Sequence, residues 1–375
     1  MRQQNRSIVK EGGELLVIER NGSLQQAERR LRDRDDDRER FLASCIKICL
    51  INNMPDSALE GTEHQFIWLL ANAAKDIPIS LALFSLPELC RGERARRHLS
   101  QHYFSINDLW NSQFDALILT GTEPISTDLR NEPYWASMKR VCDWAAENTV
   151  SSIFSCLAAH ACVLHFEGIN RQPLSEKCFG VFDEAKVADH ILTSKASPRM
   201  KFPHSRWNTI NGHVLTSCGF QILTRSTEAG VNIFTKSRQS LLVHFQGHPE
   251  YGAEILFNEY KRDIRRFIRN EQNRYPQIPK GYFDRDAYDL LRAFQMRAMS
   301  DRHQALLDHF PNVRLRPELT AAWSAVAISI YRNWLLFVKT AKLIKRPQVA
   351  LPVADGLPTL SRRVRLAEVT NVTRA

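Results

Sequence analysis

The sequence predicts an α/β fold, a mostly parallel sheet flanked by helices, with antiparallel additions and a helical C-terminal extension, on three observations. Short apolar runs of strand length recur as CIKICLI (45–51), PISLALFSL (78–86), FDALILT (114–120) and VSSIFS (150–155). Helical patterns lie between them, TEHQFIWLLANAA (62–74) and PYWASMKRVCDWAAEN (133–148). Such alternation requires long crossovers, hence parallel strands with helices on both faces. Finally, FQILTRS (220–226), VNIFTKS (231–237) and SLLVHFQ (240–246) are separated only by the turn-like GluAlaGly and ArgGln segments, which predicts antiparallel strands added to that sheet.

Taken in order, residues 1–42 are polar and charge-rich, with a helix expected over Ser23 to Phe41 and little apolar material for a core. Residues 43–275 form the main domain. A helix is expected to begin near Tyr251 and run through ILFNEYKRDIRRFIR, and PQIPKGYFD is a connector. Residues 276–375, with YDLLRAFQMRAM and AAWSAVAISIYRNWLLFV, are a helical extension expected to pack on the main domain or on another subunit, which leaves a homodimer open.

With 375 residues, 43% of them hydrophobic, the chain can bury a full core. The apolar stretch Leu319 to Tyr331 is interrupted by Arg332, short of the roughly 20 residues a membrane helix requires. The start, MRQQNRSIVKEGGELL, has neither the apolar block nor the cleavage site of a secretory signal. A cytoplasmic protein without membrane contact is expected. Eight cysteines without close C-x-x-C pairs resemble neither a disulfide framework nor a zinc site, so no metal is expected. The net charge of +10 is dispersed among acids, as in RRLRDRDDDRER (29–40), which argues against nucleic acid; a positive field equally suits an anionic small molecule.

FSCLAAH (154–160) places one cysteine where a strand turns into a helix. There the first-turn N–H groups favour thiolate over thiol at Cys156 and can stabilise an oxyanion formed when the sulfur attacks a carbonyl. A buried inert cysteine would have the same local sequence. A nucleophile needs a base and the base an orienting group. FQGHPEY (245–251) offers both: in an extended stretch His248 and Glu250 point the same way, and Pro249 holds His248 extended. A surface turn before a helix is the plain alternative. His160, His165 and His204 are expected to be structural, and His244, on a strand, is not spaced for a metal pair with His248.

The cysteine elbow followed some ninety residues later by His-Pro-Glu resembles the class I glutamine amidotransferase-like superfamily, a flavodoxin-like three-layer sandwich. Within it, INNMPDSALEGTEHQF (51–66), LTGTEP (119–124), YW (134–135), SCLAAHACVL (155–164), GI (168–169), EKCFGVF (176–182), PHSR (203–206) and GHPEY with EYKRD (259–263) are similar to the homoserine O-acyltransferase family of the MetA type, which comprises O-succinyl- and O-acetyltransferases. The resemblance spans about Cys45 to Ile264, with a weaker echo at NWLLFV (333–338).

The resemblance implies methionine-biosynthetic acyl transfer by a ping-pong route. No cofactor is bound, and acyl-CoA (succinyl-CoA or acetyl-CoA) is the co-substrate. Cys156 carries the acyl group as a thioester, His248 is the general base, and Glu250 orients it. The Leu157 amide and an amide of the Asn53–Met54 loop form the oxyanion hole. Lys177, Ser205 and Arg262 fall on substrate-binding positions, and Arg206 or Arg262 suits a bidentate clamp on an amino-acid carboxylate. Glu63 and Glu176 are chemically suited to the ammonium group. Ile125 falls on the position that separates succinyl from acetyl users, with Glu123 nearby. Asp56-Ser57 stands where the family commonly has a lysine, and Leu157 where it often has Trp or Gly, so acyl donor and acceptor stay open. The alternatives are a glutamine amidotransferase or hydrolase with the same triad, disfavoured because Phe154 and Ala158 replace the glycines flanking that nucleophile, and a non-catalytic ligand-binding homologue.

Overall fold

The computed structural model describes residues 8–9, 16–19, 45–315 and 317–345. Its main sheet has nine strands, in the order Ile8–Val9, Leu16–Glu19, Ile79–Phe84, Ile46–Ile51, Ala116–Leu119, Ser151–Ser155, Leu241–Phe245, Ile233–Ser237, Gln221–Ile222. Pairing is parallel from Leu16–Glu19 through to Leu241–Phe245 and antiparallel at both edges. The expected fold class is the one observed.

The period of two along each strand divides the core. Ile46, Ile48, Leu50, Leu81, Leu83, Ile118 and Ile153 face one layer, where Asp56–Ala74 and Pro317–Lys345 pack. Cys49, Ile51, Ala82, Phe84, Leu117, Leu119 and Phe154 face the other, against Trp135–Asn148 and Leu157–Glu167. Ala158, Ala159 and Ala161 are buried at that second interface, where small side chains let the helix lie close to the sheet.

The structure departs from the sequence reading in three places. Leu16–Glu19, within the segment expected to be a polar extension, is a strand of the main sheet between Ile8–Val9 and Ile79–Phe84, with Leu16 buried; the helix expected over Ser23 to Phe41 lies outside the described residues. FQILTRS and VNIFTKS are each broken in two. Gln221–Ile222 and Ile233–Ser237 stay in the main sheet, while Thr224–Ser226 and Gly230–Val231 join a second, four-stranded antiparallel sheet with Gln172–Lys186 and Arg199–Thr209. That long ribbon was not expected as strand, because EKCFGVFDEAK has no clean polar–apolar alternation.

The described residues of the C-terminal region include the helices Arg285–Ser300 and Pro317–Lys345. It closes on the main domain. Trp323 Nε1 donates to the Tyr251 carbonyl at 2.8 Å, and Trp334 Nε1 to Ser151 Oγ at 2.9 Å, tying one long helix to two segments that carry candidate site residues.

Candidate active site

The strand Ser151–Ser155 ends at Cys156, which has φ 51° and ψ −110°, and the helix Leu157–Glu167 begins at the next residue. A positive φ at a non-glycine residue costs on the order of 1–3 kcal/mol and persists only where the surroundings hold it. Here the parallel neighbour strand does so: the Cys156 N–H donates to the Phe245 carbonyl at 2.7 Å. The turn places the half-buried Cys156 at the C-terminal end of a central strand and the N-terminus of the helix.

Phe245 ends the strand paired with Ser151–Ser155, so the chain just beyond it comes out beside Cys156. His248 is anchored there by its own N–H, which donates to the Pro203 carbonyl at 2.8 Å. Its Nδ1 is 2.8 Å from Glu250 Oε1, and both side chains are buried, 6% and 5% exposed. The Cys156 thiol is within hydrogen-bond reach of the same imidazole. Burial opposes charge on His248, but the Glu250 carboxylate and Cys156 together outweigh it and push the imidazole well above its ordinary range. Tyr251 covers the ring, stacked at 4.2 Å between centroids.

A second cluster adjoins this one. Glu259, on the helix Ile255–Ile268, accepts from Tyr251 OH at 2.7 Å and from Ser205 Oγ at 2.5 Å, with Lys177 Nζ at 3.4 Å. Lys177 reaches Asp263 at the same distance and lies over the Phe179 ring. Burial works against the Glu259 charge, yet Lys177, Ser205 and Tyr251 hold its carboxyl below the usual range. Arg262 is paired with Asp263 at 2.8 Å and keeps part of its guanidinium in solvent. Lys177, Ser205 and Arg262 therefore stand together, next to the His248–Tyr251 stack. Sequence reasoning missed Glu259, Asp263 and Tyr251, although GHPEY and EYKRD contain all three; the i, i+4 spacing of Glu259 and Asp263 puts both carboxylates on one helix face and was the available signal.

Three expectations need correction. Arg206 is buried, its guanidinium donating to the Asn208 carbonyl at 2.6 Å and to the Ala229 carbonyl, so it is a strut within the fold and has no free fork for a carboxylate. Glu63 is buried against His98 Nε2 at 2.7 Å and Tyr103 OH at 3.2 Å, and Glu176 is exposed on the ribbon; neither is arranged to receive an ammonium group. The Asn53 N–H already donates to Thr120 Oγ1 at 2.8 Å and the Met54 N–H to Asn52 Oδ1 at 3.2 Å, which removes both as oxyanion donors. What lies against the Leu157 amide is Gly121: a Cβ there would stand 3.1 Å from Leu157 N and 2.6 Å from Leu157 Cβ, a position only glycine can fill.

The loop after Gly121 forms one wall of a cleft of about 610 Å³, whose lining includes Glu123, Ile125, His160, Arg171 and Trp207. Ile125 is 89% exposed, and Glu123 pairs with Arg266 at 3.4 Å. His160, His165, His204 and His244 each have partners within the fold. His160 contacts Gln246, and His204 contacts the buried Glu184 at 2.8 Å. His165 contacts Asp143, and His244 lies between the rings of Phe154 and Phe234. Among the described residues no three His, Cys, Asp or Glu side chains are grouped to hold a metal ion, and no helix is long and apolar enough to cross a membrane.

A cysteine elbow at the C-terminal end of a central parallel strand, beside a carboxylate-held histidine, defines an α/β protein that brings Cys156, His248 and Glu250 together. The homoserine O-succinyltransferase family model matches residues 28–343. Relatives of that name include one from Bradyrhizobium japonicum, 44% identical over 291 residues (77% of this chain, 89% of the relative), and one from Thiothrix nivea, 36% identical over 292 residues (77% and 81%). The chain belongs to the homoserine O-succinyltransferase family. It is an enzyme, an O-acyltransferase of homoserine. Solved structures that resemble it include a glutamine amido transferase from Methylobacillus flagellatus (13% identity, TM-score 0.44, 78% of this chain and 95% of that one) and a glutamine amidotransferase from Thermotoga maritima (11%, 0.42, 77% and 98%).

Proposed function

We propose that the protein transfers a succinyl group from succinyl-CoA to the hydroxyl of homoserine through a thioester on Cys156. The observation that carries this is the shared pocket of Cys156 and the Glu250-held His248. The choice of succinyl follows the names of the relatives.

In the first half-reaction His248 takes the thiol proton and Cys156 Sγ attacks the thioester carbonyl. The Sγ–C bond forms, the bond from carbon to the CoA sulfur breaks, and His248 returns the proton to the departing CoA thiolate. In the second half-reaction the homoserine hydroxyl attacks the enzyme thioester while His248 takes its proton. The O–C bond forms, Sγ leaves, and the proton returns to the sulfur. Each tetrahedral oxyanion is held by the Leu157 amide, with the Gly121 backbone as the second wall of the hole, in place of the Asn53–Met54 loop.

Lys177, Ser205, Glu259 and Arg262 form the amino-acid pocket. Glu259 is positioned for the ammonium group and Arg262 for the carboxylate, which brings the hydroxyl toward His248. The cytoplasm is the expected compartment, since both substrates are metabolites of that space. The reading is tested by following free CoA release with homoserine and serine against succinyl-CoA and acetyl-CoA. Succinyl-CoA with homoserine is the pair expected to turn over; ammonia release from glutamine without CoA release from any pair would overturn it.

A further inference from the structure

Arg171 has no role in what precedes, and part of its guanidinium lacks a partner. Two carbonyls of the loop after Gly121, Ser126 and Thr127, each accept from its Nη2 at 3.0 Å and fix the guanidinium plane. Its Nε is buried with no partner, and among the described residues no carboxylate comes within ion-pair distance of it. A half-buried guanidinium left in that state loses hydration without regaining an acceptor. The residues around it are also suggestive. Arg171 and His160 line the same cleft, and His160 follows Cys156 by one helical turn, about 6 Å of rise. Tyr134, Glu132, Cys156 and Asp128 all act on Arg171 electrostatically, and Asp128 and Glu123 line the same cleft. A succinyl group bound to Cys156 would carry its carboxylate carbon roughly 4 Å beyond the thioester carbonyl carbon, by ordinary C–C bond lengths.

We infer that Arg171 receives the distal carboxylate of the acyl group, reading a dicarboxylic monoacyl donor against a simple acetyl one. The inference rests on the acyl-transfer reading above and extends it to donor choice. Arg171 lines the cleft with Nη2 committed to the two loop carbonyls, so a carboxylate there is held by the guanidinium charge and by a remaining N–H, which an acetyl methyl leaves unpaired. Ile125, at the exposed rim of the same loop, bounds the cleft without contributing charge.

The experiment compares kcat/KM for succinyl-CoA and acetyl-CoA, with homoserine saturating, in the wild type, Arg171→Met and Arg171→Lys. Arg171→Met is expected to lose about 100-fold with succinyl-CoA and less than about 3-fold with acetyl-CoA, and Arg171→Lys to recover part of the succinyl rate. Equal losses with both donors would mean that Arg171 only braces the loop, and would overturn the inference. A second measurement needs no variant: the wild type should use the monomethyl ester of succinyl-CoA, which has similar size but no carboxylate, about 100-fold less well than succinyl-CoA. Equal use of the two would overturn the inference even if Arg171→Met failed to fold. A wild type that accepts acetyl-CoA but not succinyl-CoA sinks the inference and the choice of succinyl donor while acyl transfer stands, whereas one that accepts neither sinks the acyl-transfer reading.

Discussion

Tyr251 lies face to face with His248, ring centroids 4.2 Å apart and planes 17° apart, and its hydroxyl donates to Glu259 Oε1 at 2.7 Å. One side chain thus joins the proposed general base to the carboxylate of the neighbouring cluster. Tyr251→Phe keeps the stack and loses only the hydrogen bond, so KM for homoserine should rise by about 5- to 10-fold, the loss expected for one neutral-to-charged hydrogen bond in part made good by water, with kcat little changed. Tyr251→Ala removes both contacts and should lower kcat as well. Steady-state kinetics with each substrate varied in turn check the split.

Glu250→Gln separates the two forces on His248. With the carboxylate gone, burial is opposed by Cys156 alone and the imidazole loses both its orienting bond and much of its upward push, so turnover should drop by about 10²- to 10⁴-fold near neutral pH. The sign for stability follows from the raised folded value. In the wild type the stabilisation held by protonated His248 is fully present below about pH 6.5 and is lost as pH rises through the raised folded value. The melting-temperature gap between wild type and Glu250→Gln should therefore be widest near pH 6.5 and narrow as pH rises through the raised folded value.

Glu184 offers an independent pH test. It is fully buried, accepts from Thr224 Oγ1 at 2.7 Å and Asn232 Nδ2 at 3.0 Å, and burial pushes its carboxyl up to about 8 despite those bonds. Because the folded state holds this proton more tightly, its contribution is fully present below the unfolded value near 4.5. It is lost as pH rises through 8, at up to about 1.4 kcal/mol per pH unit. Glu184→Gln should flatten that slope, which denaturant melts at pH 5, 6, 7 and 8 would show.

The two arginines once grouped as carboxylate clamps should behave oppositely. Arg206→Met leaves the Asn208 and Ala229 carbonyls without their donor inside the fold and should cost about 3 kcal/mol of stability. Arg262→Met, at a partly exposed pair, should leave the melting temperature within a degree or two and raise KM for homoserine.

Much of this was legible in the amino-acid order, and the reasons are physical. The strands at 46–51, 79–84, 116–119 and 151–155 are buried on both faces, which produces the unbroken apolar runs that mark them. Cys156, His248 and Glu250 stood out because a strand-to-helix cysteine and a His-Pro-Glu turn are each unusual local chemistry. The ribbon of Gln172–Lys186 with Arg199–Thr209 was not legible, since half of it faces solvent and its register shifts between Pro173 and Cys178. The inward turn of Arg206 was equally hidden: whether a guanidinium serves a substrate or two backbone carbonyls depends on Ala229, distant in sequence and brought close only by the second sheet. Gly121 was passed over for the Asn53–Met54 loop because nothing in the sequence says which amides are already taken.

The central claim, that Cys156 carries the acyl group, is tested most directly by intact-protein mass after incubation with succinyl-CoA in the absence of acceptor. The account predicts one added succinyl group, mapped by peptide mass to Cys156, absent in Cys156→Ala and discharged when homoserine is added. A folded, active protein that shows no adduct, or one whose adduct survives in Cys156→Ala, would contradict it.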